Sequence, residues 1–352
     1  MILDDFKQIK GIDGQNMYGH IQGLPNQLLM GWDAGLGFPL PQTDGVKQIL
    51  VAGMGTMAIS AELAAAYVVS TCPVPIFVLR DYDLPGWAQG DQTLVVACSH
   101  SGNDEEPLSA FGQARERGCR IIAISTGGKL SEAARAANAL YWKLEHDGPT
   151  RAAVGLPFGF LLAIFYRSGL IEDQSAKLRE TVAAMKAQQE MLLAEVPVVQ
   201  NPAKRLAGQL FGRWVSVFGS GLMAPVARRW KTQISELAKA WAQFEFIPEA
   251  DHNSLAGVIH PEDLLLSTMM IFLRSPSDHP RNFVREELTK NVMMMEGIGT
   301  DMVYARGDTP LAHIWTLLHF GDYVAYYLSI AYETDPTPVT GIEDFEAELA
   351  RQ

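Results

Sequence analysis

The sequence predicts an α/β protein of two tandem domains, each a parallel β-sheet between helices. Short, uninterrupted apolar segments alternate with helical segments along the chain, which is typical of parallel sheets covered on both faces. A strand–glycine–helix pattern occurs twice, with Gly53 and Gly219 in matching positions roughly half the chain apart. The length of 352 residues also suits two domains of ordinary size.

In the first half, residues 48–65 predict a buried strand, a glycine turn and a helix. Further apolar segments predict strands at residues 76–84, 93–98 and 120–126. Residues 131–139, SEAARAANA, predict the helix that follows the last of these strands. This order of elements predicts a parallel sheet, because each strand is followed by a crossover segment.

The second half repeats this order. Residues 214–230 predict a strand, a G-x-G turn and a helix. Residues 263–273 correspond to the third strand of the first half, and residues 291–304 correspond to the fourth. The polar helical segment 171–194 joins the two halves. We therefore predict a first domain over residues 1–175 and a second over residues 176–352.

The composition excludes several classes of protein. The chain is 48% hydrophobic, enough for a large core, and its net charge of −12 argues against a broad nucleic-acid or anionic-membrane surface. The long apolar segment between Arg151 and Arg167 is shorter than the ~20 residues that span a bilayer, so we expect a buried helix. We expect neither a nucleic-acid partner nor a membrane partner.

The cysteines and the N-terminus favour a cytoplasmic protein. The chain has three cysteines, an odd number without CxxC spacing, which argues against a disulfide framework. The first residues, MILDDFKQ, are acidic and lack the apolar core of a signal peptide.

Two loops of the first half follow predicted strands, VAGMGTM after the first and ACSHSGN after the third. In open parallel sheets, ligands bind beyond the carboxyl ends of the strands, and helix N-termini favour anions there. Ser99 and Ser101 add hydroxyl donors, and Gly102 lets the backbone approach closely. The pattern fits a phosphate or hydroxyl cradle and, equally well, a serine turn that merely caps a helix.

The first loop also fits the outline of a dinucleotide site. GMGTMA satisfies G-x-G-x-x-A, and the acidic Asp81 follows the next strand. That acid comes later than the usual ~20 residues, and a dinucleotide site does not explain the serine loop. We therefore rank an oxidoreductase last among the functions considered.

In the second half, Glu236 lies in a helical segment between Lys231 and Lys239. The segment fits a catalytic carboxylate, but a lone glutamate in such a segment more often lies on a solvated helix with ordinary charge pairing. His252 lies in the polar stretch ADHNSLAG, where the alternative is a helix cap beside an incidental histidine.

Arg151 begins the long apolar segment, where a guanidinium opposes the helix dipole and hints at a functional role. The alternative is a surface charge at the end of a buried helix. The eight histidines are scattered and no HExxH pattern occurs, so we expect no metal site.

Taken together, four segments in this order resemble the bifunctional phosphoglucose/phosphomannose isomerases of the SIS (sugar isomerase) superfamily. The segments are GMGTMAIS (53–60), RDYDLP to CSHSGNDEEPL (80–108), GPTRAAVG (148–155) and RRWKTQISELAKAWAQFEFIPEADHNSLAG (228–257). The resemblance extends to both termini and covers nearly the whole chain.

This resemblance implies two flavodoxin-like αβα SIS domains, a homodimer with a shared active site, and no cofactor. It implies that glucose 6-phosphate or mannose 6-phosphate is interconverted with fructose 6-phosphate through a cis-enediol. Glu236 matches the base, His252 the ring-opening histidine given by the partner subunit, and Arg151 the group that stabilises the enediolate. The substrate-binding positions implied in the two loops are Gly55, Thr56, Ser99, Ser101 and Asp104.

Three positions depart from the family pattern. Met57 replaces a serine, Asp104 replaces a threonine that binds phosphate, and Glu346 stands where the family carries a lysine. Each change removes a donor or a cation, or adds an acid. Two alternatives therefore remain, a diverged SIS enzyme acting on a different sugar and a non-catalytic protein that binds a sugar phosphate.

Overall fold

A computed structural model describes residues 2–352, which group into two compact units. The first-sheet unit comprises residues 23–186 and 307–315. The second-sheet unit comprises residues 2–22, 187–306 and 316–352. The domain boundary at residue 175 stays a prediction.

Nine strands form the two sheets within the described residues. They are β1 Gln48–Gly53, β2 Ile76–Leu79, β3 Thr93–Cys98, β4 Arg120–Ser125, β5 Leu140–Lys143, β6 Trp214–Ser220, β7 Ala242–Ile247, β8 Thr268–Arg274 and β9 Gly299–Tyr304. The sheets have five strands in the first unit and four in the second.

The α-helices precede, follow or connect these strands, except that no helix lies between β2 and β3. They are α1 Phe6–Ile12, α2 Met17–Gly37, α3 Gly55–Val68, α4 Glu105–Glu116, α5 Gly128–Ala136, α6 Gly155–Arg167, α7 Ser175–Gln189, α8 Pro202–Leu210, α9 Ala224–Ala238, α10 Glu262–Leu266, α11 Pro280–Met295, α12 Pro310–Ala331 and α13 Thr340–Leu349. Within residues 2–352, none of the helices combines the length and the apolar character needed to cross a membrane.

The first sheet is parallel and has the order β2-β1-β3-β4-β5. This is the flavodoxin-like order, whose direction reverses between β1 and β3. Gly53 at the end of β1 lies beside Cys98 at the end of β3. The loops after these two strands therefore flank the switch point, which is where open sheets of this kind bind ligands.

Apolar side chains cover both faces of the first sheet. Strand β3 is buried along its whole length, so it carries no polar alternation. Helix α6 is buried from Gly155 to Phe165, which confirms the predicted buried helix. Its Gly159 lies so close to the backbone of α2 that a Cβ would come within 2.5 Å of Trp32 N.

The second sheet repeats the design with the order β7-β6-β8-β9, again parallel. The turn after its central strand has the same backbone geometry as the first, since φ is +48° at Gly221 and +46° at Gly55. A left-handed φ of this kind favours glycine. The internal repeat and the fold class predicted from the sequence are thus confirmed.

The structure corrects several predicted elements. Strand β2 ends at Leu79 and not at residue 84. In segment 263–273, the first residues belong to α10 and the strand starts at Thr268. In segment 291–304, the residues up to Met295 belong to α11 and the strand starts at Gly299. Strands β5 and β7 were not predicted, and α5 begins three residues earlier than expected.

Candidate active site

The first loop takes the chain directly from β1 into α3. Gly53 packs against β3, where a Cβ would lie 2.8 Å from Cys98 O. Gly55, the first residue of α3, has a left-handed φ, and Thr56 behind it is buried. The first amide groups of α3 therefore open at the switch point, where helix N-termini favour anions.

The serine loop after β3 is held by its own hydrogen bonds. Ser99 is buried, and its Oγ accepts a hydrogen bond from the Gly102 amide at 2.9 Å. Gly102 has φ of +78°, and a Cβ there would lie 1.9 Å from Gly127 O. Only glycine fits this position. Ser101, in contrast, is exposed, and its Oγ accepts from the Asn103 amide at 3.1 Å.

Asp104 lies at the N-cap position of α4, yet its side chain makes no capping hydrogen bond. Its Oδ2 instead accepts the hydroxyl proton of Ser99 at 2.5 Å. A serine has a single hydroxyl donor. Ser99 therefore gives its donor to Asp104, and the Asp104 side chain does not cap α4.

Arg151 lies in a short 3₁₀ helix, Thr150–Ala152, just before α6. The residue is 5% exposed, so the alternative of a surface charge is wrong. The 3₁₀ helix contacts α3, and the Ser60 hydroxyl of α3 donates to Val154 O at 2.9 Å. This packing places Arg151 beside the helix that the first loop opens.

A histidine pair was missed by the sequence analysis. His100, between the two serines, has its Nε2 3.0 Å from Nδ1 of His146. Burial lowers the pKa of His100, which favours its neutral form. His146 lies in the segment that leads to Arg151, so the pair links the serine loop to that segment. The position of His100 between Ser99 and Ser101 was the feature of the sequence that could have drawn attention to this histidine.

In the second-sheet unit, Glu236 lies in the last turn of α9 and is half-buried. Buried contacts anchor this helix to α12. Arg229 binds both carboxylate oxygens of Asp322, at 3.1 and 2.8 Å, and Trp230 Nε1 donates to Leu317 O at 2.9 Å. A bidentate pair fixes orientation as well as distance. The anchoring therefore fixes the position of the Glu236 backbone.

Just after Glu236, Lys239 ends α9 with a left-handed φ. Its Nζ donates to the carbonyls of Glu236, Leu237 and Asp335 at 2.9, 3.2 and 2.8 Å. Lys239 thus binds the carbonyl groups at the helix end, as cations near a helix C-terminus commonly do.

His252 is exposed at the end of a 3₁₀ helix, Glu249–His252. The preceding Asp251 points the other way, because Arg285 Nη1 and Thr289 Oγ1 donate to its carboxylate at 2.8 and 2.7 Å. Asp251 is thus held by α11 and does not cap a helix. Asn253 does, since its side chain accepts from the Ser254 amide.

The switch point of the second sheet holds buried acids. Ser220 ends β6 and donates to Glu286 Oε1 at 2.9 Å, while Asp278 Oδ2 accepts from the Ser275 amide at 3.2 Å. Burial raises the pKa of Asp278 to about 7, and the nearby negative charge of Glu286 adds to the same shift. Carboxylates from the chain itself therefore occupy the position that corresponds to the serine loop.

The structure brings together the two predicted loops and places Arg151 beside α3, the helix that follows the first loop. All of these lie in the first-sheet unit, which also holds Gly55, Thr56, Ser99, Ser101 and Asp104. Glu236 and His252 lie in the second-sheet unit. Their joint action on one substrate stays a prediction.

Two solved structures illustrate the likeness of fold. A glucose-6-phosphate isomerase like protein from Thermus thermophilus superposes with a TM-score of 0.65 at 22% identity, covering 95% of this chain and 97% of that one. Tagatose-6-phosphate ketose/aldose isomerase from Escherichia coli gives a TM-score of 0.69 at 16% identity, covering 92% and 95%. The fold is that of the SIS-domain proteins.

Sequence comparison is more specific. Residues 199–349 match the family model of the bacterial phospho-glucose isomerase C-terminal SIS domain. The bifunctional phosphoglucose/phosphomannose isomerase of Caldicellulosiruptor bescii is 35% identical over 95% of this chain and 99% of its own length. That of Aquifex aeolicus is 30% identical over 87% and 91%. The chain belongs to the bifunctional phosphoglucose/phosphomannose isomerase family.

Proposed function

We propose that this protein is a sugar-phosphate aldose–ketose isomerase. It interconverts glucose 6-phosphate or mannose 6-phosphate with fructose 6-phosphate by proton transfer through a cis-enediol. The observation that carries the proposal is the pair of loops at the β1–β3 switch point. The bifunctional isomerase of Caldicellulosiruptor bescii, which matches this chain over 99% of its own length, supports it. No cofactor is needed for this reaction.

Glu236 is the proposed base that moves the proton between C1 and C2. Abstraction of a proton beside a carbonyl needs one positioned carboxylate. The Arg229–Asp322 pair and the Trp230 hydrogen bond support this role, because they hold the helix that carries Glu236. A base on a helix fixed in this way keeps its geometry during turnover.

Arg151 is the proposed stabiliser of the enediolate. Its guanidinium is always charged, and a charge in a water-poor site interacts more strongly with a developing oxyanion than one at the surface. The burial of Arg151 supports the role.

His252 is the proposed ring-opening group, acting on the substrate held by the partner subunit of a homodimer. Its exposure supports the proposal, since a donated side chain must project from its own subunit. The Asp251 contacts to α11 support it further, because they hold the backbone next to His252 in place.

The phosphate would lie at the two loops, with the amides of Gly55 and Thr56 and the hydroxyl of Ser101. Ser99, whose hydroxyl donates to Asp104, would shape the second loop around it. A cytoplasmic location belongs to the same proposal, and the free thiols of Cys72, Cys98 and Cys119 support it.

One observation favours a second candidate, an isomerase of the same type that acts on a different sugar. Asp104 takes the hydroxyl donor of Ser99, and its carboxylate places an acid in the loop proposed for phosphate. A sugar that places a neutral or cationic group in this loop would be repelled less by the Asp104 carboxylate than a sugar phosphate.

Turnover of fructose 6-phosphate, measured separately as glucose 6-phosphate and mannose 6-phosphate, tests the proposal. The wild type is measured beside Glu236→Gln, which keeps the size of the side chain and removes the base. We expect the wild type to form at least one product and the variant to form neither. A wild type that is silent at millimolar substrate, but gains turnover with Asp104→Thr, would favour the second candidate.

A further inference from the structure

The second-sheet unit contains a cavity of about 320 Å³. Helix α8, the last turn of α7, strand β9 and Phe320 of α12 form its walls. The volume lies within the ~300–1,000 Å³ typical of small-molecule sites. Neither Glu236 nor His252 lines this cavity, and the two loops of the candidate site belong to the other unit. We propose that the cavity binds a small zwitterion with an apolar body, of which an apolar α-amino acid is the simplest.

A buried amide in the wall of the cavity points to a ligand. Gln188 lines the cavity, is 6% exposed, and its Oε1 has no hydrogen-bond partner within residues 2–352. Such an acceptor is costly, because it has lost its hydrogen bonds to water and gained none in the fold. A ligand that brings a hydrogen-bond donor into the cavity would satisfy this oxygen.

Two arginines supply positive charge at the same cavity. Arg205 of α8 and Arg306, which follows β9, both line it, and neither forms an ion pair within the described residues. The Arg306 backbone is fixed, because its amide donates to Thr316 Oγ1 and its carbonyl accepts from that hydroxyl, each at 3.0 Å. Two guanidinium groups at one cavity favour a ligand that carries a carboxylate or a phosphate.

A third charge favours a zwitterion over a simple anion. Asp301 of β9 lines the same cavity, is half-buried, and forms no ion pair with any residue from 2 to 352. Its Oδ1 accepts from the Met302 amide at 2.7 Å, and Oδ2 is the oxygen left for a ligand. An ammonium group has three donors and no acceptor, which suits both Asp301 Oδ2 and Gln188 Oε1. A phosphate, in contrast, would be repelled by the Asp301 carboxylate.

Apolar side chains form the deep part of the cavity. Leu192, Leu206 and Phe320 line it and are 0%, 5% and 6% exposed. A sugar placed against these side chains would lose the water around its hydroxyl groups without gaining partners for them. An aliphatic or aromatic body meets no such cost, so the apolar walls favour an apolar amino acid over a second sugar phosphate.

Isothermal titration calorimetry of the full chain with L-leucine tests the class of ligand. Two analogues of leucine each lack one of its charges, since 4-methylpentanoate has no ammonium and 3-methylbutylamine has no carboxylate. We expect L-leucine to bind with a dissociation constant of about 1 mM or less, and each analogue to bind at least roughly tenfold more weakly. Binding of 4-methylpentanoate as tight as that of L-leucine would refute the ammonium site. Absence of binding by L-leucine, L-methionine and L-phenylalanine at millimolar concentrations would overturn the inference.

Charge removal locates the ligand in the cavity. Asp301→Asn keeps an acceptor for the Met302 amide, and Arg306→Gln removes only an exposed charge. Each should weaken L-leucine binding roughly tenfold or more. Arg351→Gln, which removes an exposed arginine at the end of the chain, is the matched control and should leave the dissociation constant unchanged. Binding that is as tight in Asp301→Asn and Arg306→Gln as in the control would place the ligand elsewhere.

Gln188→Met separates a binding role from a structural one. Methionine is close to glutamine in size and removes the unsatisfied acceptor, so the melting temperature without ligand should stay the same or rise. The affinity for L-leucine should nevertheless fall roughly tenfold. A lower melting temperature with unchanged affinity would show that Gln188 serves the fold alone and would contradict the proposal. These measurements do not involve turnover, so an inactive wild type would overturn the proposed function and leave this site standing.

Discussion

The hydroxyl of Ser99 donates to Oδ2 of Asp104 at 2.5 Å, inside the loop that ends the central strand β3. This hydrogen bond is local, yet it determines what the loop can hold. A buried serine that donates to a carboxylate has no second proton to offer a phosphate. The bond therefore places an acid in the loop that is proposed to bind phosphate.

Replacement of Asp104 should strengthen phosphate binding. A carboxylate about 4 Å from a phosphate charge costs roughly 1–4 kcal/mol, depending on hydration, which corresponds to a five- to thousandfold change in affinity. We expect Asp104→Thr to lower the KM for fructose 6-phosphate or the inhibition constant of inorganic phosphate within that range. Asp81→Asn, which removes an exposed acid from the same unit, is the control. Equal constants for Asp104→Thr and the wild type would show that the acid lies away from the phosphate.

Mixed dimers test the shared active site. Glu236→Gln and His252→Ala should each be inactive alone, and co-expression should restore about a quarter of wild-type activity, because half of the dimers then carry one intact site. The activity of affinity-purified mixed dimers is the measurement, and it should be about half that of the wild type, because each mixed dimer has one of its two sites intact. Inactive mixed dimers whose composition is verified by mass spectrometry would place His252 in the site of its own subunit.

The buried acids at the second switch point should make stability depend on pH. Burial raises the pKa of Asp278 from 3.8 to about 7, so between these values the folded state holds a proton that the unfolded state has lost. Stability from this group is therefore full below pH 4 and falls as pH rises to 7. This group should lower the free energy of unfolding by roughly 3 kcal/mol between pH 4 and pH 7, and Asp278→Asn should remove that decline.

That dependence is measured as a difference between the wild type and Asp278→Asn. Burial lowers the pKa of His319 from 6.5 to about 4, which gives a slope of opposite sign over an overlapping range. His319 is unchanged in the variant, so its effect cancels. Chemical denaturation at pH 4, 5.5 and 7 is the measurement, and parallel profiles for the two proteins would show that Asp278 is ionised in the fold.

Loss of the buried ion pair on α9 should be costly. Asp322→Ala removes the carboxylate that binds Arg229, a residue only 1% exposed, and loss of one partner of a buried pair typically costs 3–5 kcal/mol. Glu348→Ala breaks the exposed pair with Arg351 and should cost at most about 1 kcal/mol. Denaturant unfolding compares the two. Similar losses in both variants would mean that the Arg229–Asp322 pair does not anchor α9.

Much of the fold could be predicted from the sequence because its central strands are buried on both faces. Strands β1, β3, β4 and β6 are apolar runs bounded by glycine or serine turns, and all four were found. Strand β5 was missed because it has four residues, and β7 because Gln243 and Glu245 interrupt its apolar pattern.

The error at residues 291–295 has a different cause. The run NVMMM lies in the segment 291–304, which the sequence matches to the fourth strand of the first half. In the structure it ends α11, and Met294 and Met295 are exposed. A sequence does not separate apolar residues that pack in the core from apolar residues that lie on the surface.

The sequence predicts where the loops of the candidate site lie relative to the strands, and it does not predict which side chains contact each other. Helix starts and serine loops follow local rules, so the positions of Gly55 and Ser99 were predicted correctly relative to strands β1 and β3. Whether the Asp104 side chain caps α4 or accepts from Ser99 depends on its rotamer, which the sequence does not give. The His100–His146 pair joins two loops that are far apart in the sequence and meet only in the fold.

The most direct test of the central claim is the isomerisation of fructose 6-phosphate in D₂O, followed by NMR of the aldose product. If Glu236 carries the proton through an enediol, the base exchanges with solvent, and the product should contain deuterium at C2. Glu236→Gln should lower the rate by roughly 10²–10⁴-fold. Product without deuterium, or a Glu236→Gln variant as fast as the wild type, would contradict the account.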